Sequence, residues 1–312
     1  LNWLHHFTED LTWSFQQAEH TLSQFVPPFD QQALLYLDRF NVLKHQISTN
    51  YICFLLPFWM QESTGLSREN ARRMAAANLY GMMYFHLQDE VMDEVDNRSA
   101  ERLPLANLIY TEFISGYSRL FPPSSPFWSY YKRYLNEWAL AVTTENERDI
   151  VLDSPILMGH KAAPVKLAST GALLLSGHSA RIPETEHAVD QVLSILQMLD
   201  DWEDWNKDLQ EGSYNSLLAY IRADLKLPDH HRLTPEDVMD ALYVHGVLTR
   251  YAEYAQTIGQ ELSSIIELAP DLYEFYIFLL DNLTQGASSI ERERCLLEQG
   301  GLQYWLSKNI SL

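Results

Sequence analysis

The chain has 312 residues, 46% hydrophobic and 21% charged, with only 12 glycines and 13 prolines, which excludes a disordered or low-complexity polymer and leaves enough apolar material for a large core. Its 42 acids against 22 bases give a net charge of −20, a field that repels phosphate backbones and anionic lipid and so disfavours general nucleic-acid binding. Cys53 and Cys295 stand far apart with no Cys/His cluster, which argues against a disulfide scaffold or a structural zinc site.

Apolar positions recur at three and four residues rather than two, and the pattern predicts helix after helix. Asn2, His5, His6, Glu9 and Asp10 interrupt any apolar run at the start, so no signal peptide is expected there. Helical spacing covers Trp13 to Phe25 and then Ala33 to Met60, the second stretch long enough for one helix of many turns. Its most apolar part, Tyr51 to Met60, contains Pro57 and is shorter than the roughly 20 residues that span a bilayer. The expectation is a soluble, cytoplasmic chain with no stable membrane insertion. Ser67 is placed to cap a helix running through Glu69 to Ala77 and on to about Asp96, with a loop over Asn97 to Arg102. Helices follow over Leu105 to Phe121 and Phe127 to Glu147, parted by the breaker Pro122, Pro123, Ser124, Ser125 and Pro126. Further helices are predicted from about Gly159 to Ser176, Glu184 to Leu209, Ser216 to Leu225, Pro235 to Leu268 and Asp271 to Leu283, then a short C-terminal one. Strand signals are nearly absent and no linker separates two composition regimes, so residues 1–312 read as a single all-α domain of roughly ten or more helices.

Two segments carry acids where packing would prefer leucine. In the first, His86 to Asp96, a rotation of about 100° per residue brings Asp89, Asp93 and Asp96 close together on one face with Glu90 on the shoulder. Like charges so spaced cost an isolated helix about 0.2–0.5 kcal/mol per pair. Taken alone, this stripe also fits a solvated acidic helix end. In the second segment, Leu196 to Asp208, the acids Asp200, Asp204 and Asp208 occur at i, i+4 and i+8 with Asp201 and Glu203 beside them. Trp202 and Trp205 should draw that helix inward. Two such stripes in aromatic surroundings suggest facing walls of one cavity, and several carboxylates buried there require cations. With no thiolates and no Glu-x-x-His spacing, Mg²⁺ fits better than softer metals, shared with waters and the phosphates of an anionic ligand.

Asp89-Glu90-x-x-Asp93 resembles the first aspartate-rich motif of the class I isoprenoid synthases, and Gln197-x-x-Asp200-Asp201-x-x-Asp204 resembles the second motif of their trans-prenyltransferase branch. The same segment is similar to the second metal motif of class I terpene cyclases through Asp200, Asp204 and Asp208. The resemblance implies that superfamily's all-α helical bundle with a central active-site cavity. It also implies three Mg²⁺ ions on ligands drawn from Asp89, Glu90, Asp93, Asp200, Asp201, Asp204 and Asp208. Gly159-His160-Lys161-Ala162-Ala163 resembles the His-Lys-Thr segment that supplies a diphosphate-binding lysine in trans-prenyltransferases, with Ala162 in place of the threonine. Arg250-Tyr251 resembles the Arg-Tyr pair of many terpene cyclases. The candidate diphosphate contacts are accordingly Lys161, Lys207, Arg250 and Tyr251.

Glu90 replaces the second aspartate of the first motif, and Asp200 and Asp204 stand where the cyclase motif has asparagine and serine, so the chain sits between the two branches. Chain elongation needs a second anion site free of metal, yet the first 60 residues contain only Arg39 and Lys44 as bases and no glycine. The expectation is therefore a class I terpene synthase that ionises a linear C15 or C20 allylic prenyl diphosphate with Mg²⁺ and cyclises the cation, releasing pyrophosphate. Lys161 would stabilise the leaving group, and the rings of Phe85 and Trp202, with Tyr84, Phe58, Trp59 and Trp205 as further nominees, would stabilise the cation. The alternatives are a trans-prenyl diphosphate synthase, a head-to-head squalene or phytoene synthase and, from a different class, a non-catalytic acidic helical partner-binding protein. The expected partner is a small-molecule prenyl diphosphate; a homodimer is allowed, and no nucleic acid is expected.

Overall fold

A computed structural model describes residues 2–45, 50–93, 102–145, 149–228 and 231–298, with all side chains but those of Asn2, Asp93 and Leu297. Every regular element among these residues is helical. In chain order they are α1 (Asn2–His5), α2 (Thr8–Leu22), α3 (Phe29–Arg39), α4 (Ile52–Trp59), α5 (Gln61–Thr64), α6 (Arg68–Asp93), α7 (Leu103–Ser118) and α8 (Phe127–Thr144). There follow α9 (Ile150–Asp153), α10 (Lys166–Leu175), α11 (Ile182–Glu211), α12 (Ser216–Asp224), α13 (Pro235–Tyr243), α14 (Val247–Ile258) and α15 (Pro270–Glu298). Tighter 3₁₀ turns occupy Pro155–Val165, Ser179–Arg181 and Gln260–Ile265. No helix among the described residues is long and apolar enough to cross a membrane.

The chain divides into two compact units. The first comprises Leu1–Asn136, Ala163–His187 and Ile265–Tyr273, and the second Glu137–Ala162, Ala188–Ser264 and Glu274–Leu312. In the first unit α6 is the spine. Ser67 accepts the amide of Asn70 on its Oγ at 3.2 Å, the local cap that the sequence suggests for this helix start. Met74, Ala75, Ala77, Leu79, Met83 and Leu87 on α6 are buried, and the helix packs against α2, α4 and α7. Tyr117, Phe121 and Phe127 stack beside it, with Phe121 and Phe127 centroids 4.1 Å apart; a ring so buried contributes on the order of 1.5–3 kcal/mol.

The second unit is built on α11, whose Val189, Val192, Leu193, Ile195, Leu196 and Leu199 are buried. Gln191 on the same helix donates from Nε2 to the Ile258 carbonyl at the end of α14, 2.7 Å away. The short helix α12 packs on α9, α13 and α14.

Three predicted helices are interrupted. The stretch Ala33 to Met60 is α3 and α4 rather than one helix, because Asn41 turns its Oδ1 to the amide of Leu43 at 3.1 Å, a side-chain turn that competes with helical pairing. Pro235 to Leu268 breaks into α13, α14 and a 3₁₀ turn. Gly246 takes the left-handed backbone there, at φ 61 and ψ 33, which a continuing helix cannot hold and which glycine adopts without penalty. Between Gly159 and Ser176 the chain is 3₁₀ through Val165, with Ala162 off helical geometry at φ −116 and ψ 21 and Pro164 lacking an amide to donate; α-helix begins only at Lys166. α15 runs to Glu298, beyond the predicted end at Leu283. The predicted stretch from Glu94 through Asp96 to residue 101 lies outside the described residues; the chain after Leu283, where a separate short C-terminal helix is predicted, continues α15 through Glu298, and the residues beyond that lie outside the described ones.

Candidate functional site

The acid-rich part of α11 separates its carboxylates by the direction each one faces. Asp201 is 5% exposed. It accepts the Ser216 amide on Oδ2 at 2.8 Å, the Ser216 hydroxyl on the same oxygen, and Gln197 Nε2 on Oδ1 at 2.8 Å. Burial pushes its carboxyl above the usual carboxylate range, against the pull of those hydrogen bonds and of Lys161. Ser216 opens α12, so Asp201 sits at a helix N-terminus, where the exposed amides and the dipole favour its ionised form. Asn215 completes the junction. Its Oδ1 caps α12 by accepting the amides of Leu217 and Leu218 at 3.0 and 3.1 Å, while its Nδ2 donates to the Asp201 carbonyl and to Asp208 Oδ2, both at 2.8 Å.

Asp200 and Asp208 are half-buried and Asp204 is exposed. Burial pushes the Asp208 carboxyl up, opposed by the Asn215 hydrogen bond and aided by neighbouring Asp204. Glu203 is raised by burial and by Asp204. Asp200, Asp204 and Asp208 thus follow the i, i+4, i+8 face, while Asp201 is bound into the α11–α12 junction. Among the described residues no three His, Cys, Asp or Glu side chains gather closely enough to hold a metal ion by themselves.

Lys161 reaches the same region from the 3₁₀ turn. Gly159 makes this approach possible: a Cβ there would lie 2.6 Å from the Asp190 carbonyl of α11, so only glycine lets the turn lie so close. Its amide donates to Ser194 Oγ at 3.1 Å, and His160 Nε2 stands 3.7 Å from Asp190 Oδ2. Lys161 Nζ pairs with Glu145 Oε2 at 2.5 Å. A small cavity is lined by Lys161, Glu145, Gln197, Asp201 and Tyr214, with Leu157 and Met158 among its apolar wall. Burial raises the Tyr214 hydroxyl, which accepts the Val151 amide at 3.1 Å.

The other candidates are distributed differently. Tyr251 is fully buried, its hydroxyl 2.6 Å from Ser216 Oγ and 3.3 Å from the Met198 carbonyl, so it backs Asp201 from inside. Arg250 turns the other way, to Asp224 Oδ1 at 2.9 Å through Nε, to Asp224 Oδ2 through Nη2, and to the His245 carbonyl at 2.9 Å. Lys207 is exposed and lies 4.0 Å from Glu211. Trp202 and Trp205 are half-buried, and the Trp202 indole nitrogen packs against Gly286 of α15. In the first unit, Asp89 is half-buried on α6 and the side chain of Asp93 lies outside the described residues. Glu90 is held by Arg39, Arg102 and Tyr36. Phe85 belongs to a ring cluster, 5.0 Å from Tyr84 and 6.3 Å from Phe113. Phe58 and Trp59 are closed in the core, Trp59 donating to the Trp3 carbonyl at 3.2 Å.

Glu145, Tyr214, Asn215 and Ser216 were not singled out by sequence reasoning. Only Asn215 carried a local signal, an asparagine directly before a helical pattern. Glu145 and Tyr214 join the site through contacts distant in sequence. No family model, no curated protein and no solved structure matches the chain.

Proposed function

We propose that the protein is a Mg²⁺-dependent class I terpene synthase that ionises a linear allylic prenyl diphosphate and cyclises the resulting cation. The observation that carries this reading is the division of labour on α11: Asp201 anchors α12, while Asp208 is oriented by Asn215 on the face it shares with Asp200 and Asp204. A purely solvated acidic face would need neither the buried anchor nor the oriented acid. The donor set fits Mg²⁺, which takes hard carboxylate oxygens and completes its shell with waters and substrate phosphates rather than an all-protein cage. One or two carboxylates among Asp200, Asp204 and Asp208 would hold each ion beside waters and substrate phosphates, and when bound it would supply Lewis-acid stabilisation of the departing diphosphate. Lys161, held by Glu145, offers an ammonium for a phosphate oxygen. Asp89 enters through its motif alone, and Tyr251 and Arg250 act as supports of the α11–α12–α14 junction.

The test is release of pyrophosphate from C10 to C20 allylic diphosphates with Mg²⁺ and without isopentenyl diphosphate. Turnover to a hydrocarbon is expected. Asp200→Ala, Asp204→Ala and Asp208→Ala should each raise the Mg²⁺ concentration required, by about tenfold for loss of a well-placed ligand, with partial rescue at high Mg²⁺. Release only after isopentenyl diphosphate is added would replace this reading with chain elongation. No release from any chain length, or active variants with unchanged Mg²⁺ dependence, would overturn it.

A further inference from the structure

The turn from α11 into α12, wholly within the second unit, is held by one side chain whose hydrogen-bonding positions are all in use. Asn215 is 2% exposed and has the extended backbone of a helix N-cap, at φ −147 and ψ 124. Its Oδ1 accepts the amides of Leu217 and Leu218, and its Nδ2 donates to Asp208 Oδ2 and to the Asp201 carbonyl. A side-chain amide offers two donors and two acceptor lone pairs, so this one is saturated. A cap alone needs only the acceptor half, which serine, threonine or aspartate would supply as well. The donor half is what the amide adds, and here it is directed at an acid of the i, i+4, i+8 face.

Asp208 is fixed at both ends by this turn. Its carbonyl accepts the amides of Gly212 and Ser213 at 2.8 and 3.0 Å, and its Oδ2 accepts Asn215, leaving Oδ1 for a cation. A ligand held in this way keeps its orientation before an ion arrives, and loss of the group that orients it typically weakens metal binding by about tenfold or more. We infer that Asn215 is a positioning residue that joins Asp208 to the first turn of α12, so that Mg²⁺ on the α11 acids and the seating of α12 stabilise each other. The coupling is reciprocal: whatever α12 gains when the ion binds, the ion gains from a seated α12. The inference rests on the reading of those acids as a Mg²⁺ site and adds α12 as the element that responds to the ion.

The experiment compares the wild type with Asn215→Ser and Asn215→Ala in the absence of substrate. Serine keeps an acceptor for the α12 amides but lacks the amide donors, and alanine has neither. Without Mg²⁺, the melting temperature should fall less in Asn215→Ser than in Asn215→Ala. In Mg²⁺ titrations at matched ionic strength, followed by melting temperature, both variants should need about tenfold more Mg²⁺ than the wild type. Serine then restores the cap without restoring the ion site, a split that a merely structural role does not produce. Hydrogen exchange gives the reciprocal readout in the wild type: saturating Mg²⁺ should raise the protection of the Leu217 and Leu218 amides about tenfold, and that of Ala241 and Leu242 in α13 by less. A wild type whose melting temperature ignores Mg²⁺ would overturn both the metal reading and the inference. A wild type that responds, with Asn215→Ser responding at the same Mg²⁺ concentrations, would overturn the inference alone. Should neither variant fold, the wild-type exchange decides by itself, and equal changes in α12 and α13 would overturn the inference.

Discussion

Asp201 accepts hydrogen bonds from the amide and hydroxyl of Ser216 and from Gln197 in the interior, whereas Asp204, on the same helix, is exposed. Removing the first carboxylate leaves the buried Ser216 amide without an acceptor and takes the shared acceptor from the Ser216 hydroxyl and the Gln197 amide, whereas removing the second strands no buried donor. Asp201→Ala is therefore expected to lower unfolding free energy by roughly 2–4 kcal/mol, and Asp204→Ala to change it by less than about 0.5 kcal/mol, measured by denaturant unfolding without Mg²⁺. Comparable losses would show that Asp201 is not the anchor of α12. Asp201→Asn should fall well short of the alanine loss, because the Gln197 amide can turn to offer its oxygen. Its pH dependence has a definite sign. Burial raises the Asp201 carboxyl, so the folded chain holds that proton more tightly than the unfolded chain, and the wild type loses stability as pH rises through the folded value. Asp201→Asn should accordingly gain on the wild type as pH rises above the ordinary carboxylate value of about 4.

At the scale of elements, α2 is tied to α6 by one buried acid. Asp10 accepts Arg68 Nε at 2.6 Å and Arg72 Nε at 2.5 Å. Burial alone would raise its carboxyl, but the hydrogen bonds and charges of Arg68 and Arg72 outweigh it and hold the group below its ordinary value. A lowered value means stability that is present above the unfolded pKa and lost as pH falls through the folded one. Asp10→Asn should cost about 1–3 kcal/mol at pH 7. The gap between variant and wild type should close below about pH 4, as urea unfolding at several pH values would reveal. A gap that persists at low pH would make the contact one of packing rather than charge. Such contacts also mark how far the sequence could be read. The start of α6 was readable because Ser67 caps the helix that follows it through an amide only three residues on, and α11 because its 3.6-residue period is sustained over many turns. The break after α3 was hidden because Asn41 interrupts a run whose apolar spacing continues past it. The acids of α11 were visible as a set, yet the inward turn of Asp201 depends on Ser216 of the next helix. Arg250 and Tyr251 are neighbours in sequence but about 100° apart on a helix, so one reaches Asp224 and the other the core. The pairs Lys161 with Glu145 and Arg39 with Glu90 join residues far apart in the chain, which spacing rules do not connect.

For the molecule as a whole, the net charge of −20 sets acids against one another in the folded state. Compaction brings like charges closer, so self-repulsion weakens the native form more than the unfolded chain. Salt relieves it, since the screening length falls from about 30 Å at 0.01 M to about 8 Å at 0.15 M. Raising NaCl over that range is expected to lift the melting temperature by about 2–5 °C. The same screening weakens pairs such as Asp10 with Arg68, so a fall instead would mean that paired charges dominate over the excess acids. Mg²⁺ separates diffuse from site-bound charge. At matched ionic strength, millimolar Mg²⁺ should add a further increment through binding to the native state, and Asp204→Ala should lose that increment while keeping the response to NaCl. An NaCl response with no Mg²⁺ increment in the wild type would mean that the α11 acids act only as diffuse surface charge, and the metal-dependent reading of the second unit would fall with it.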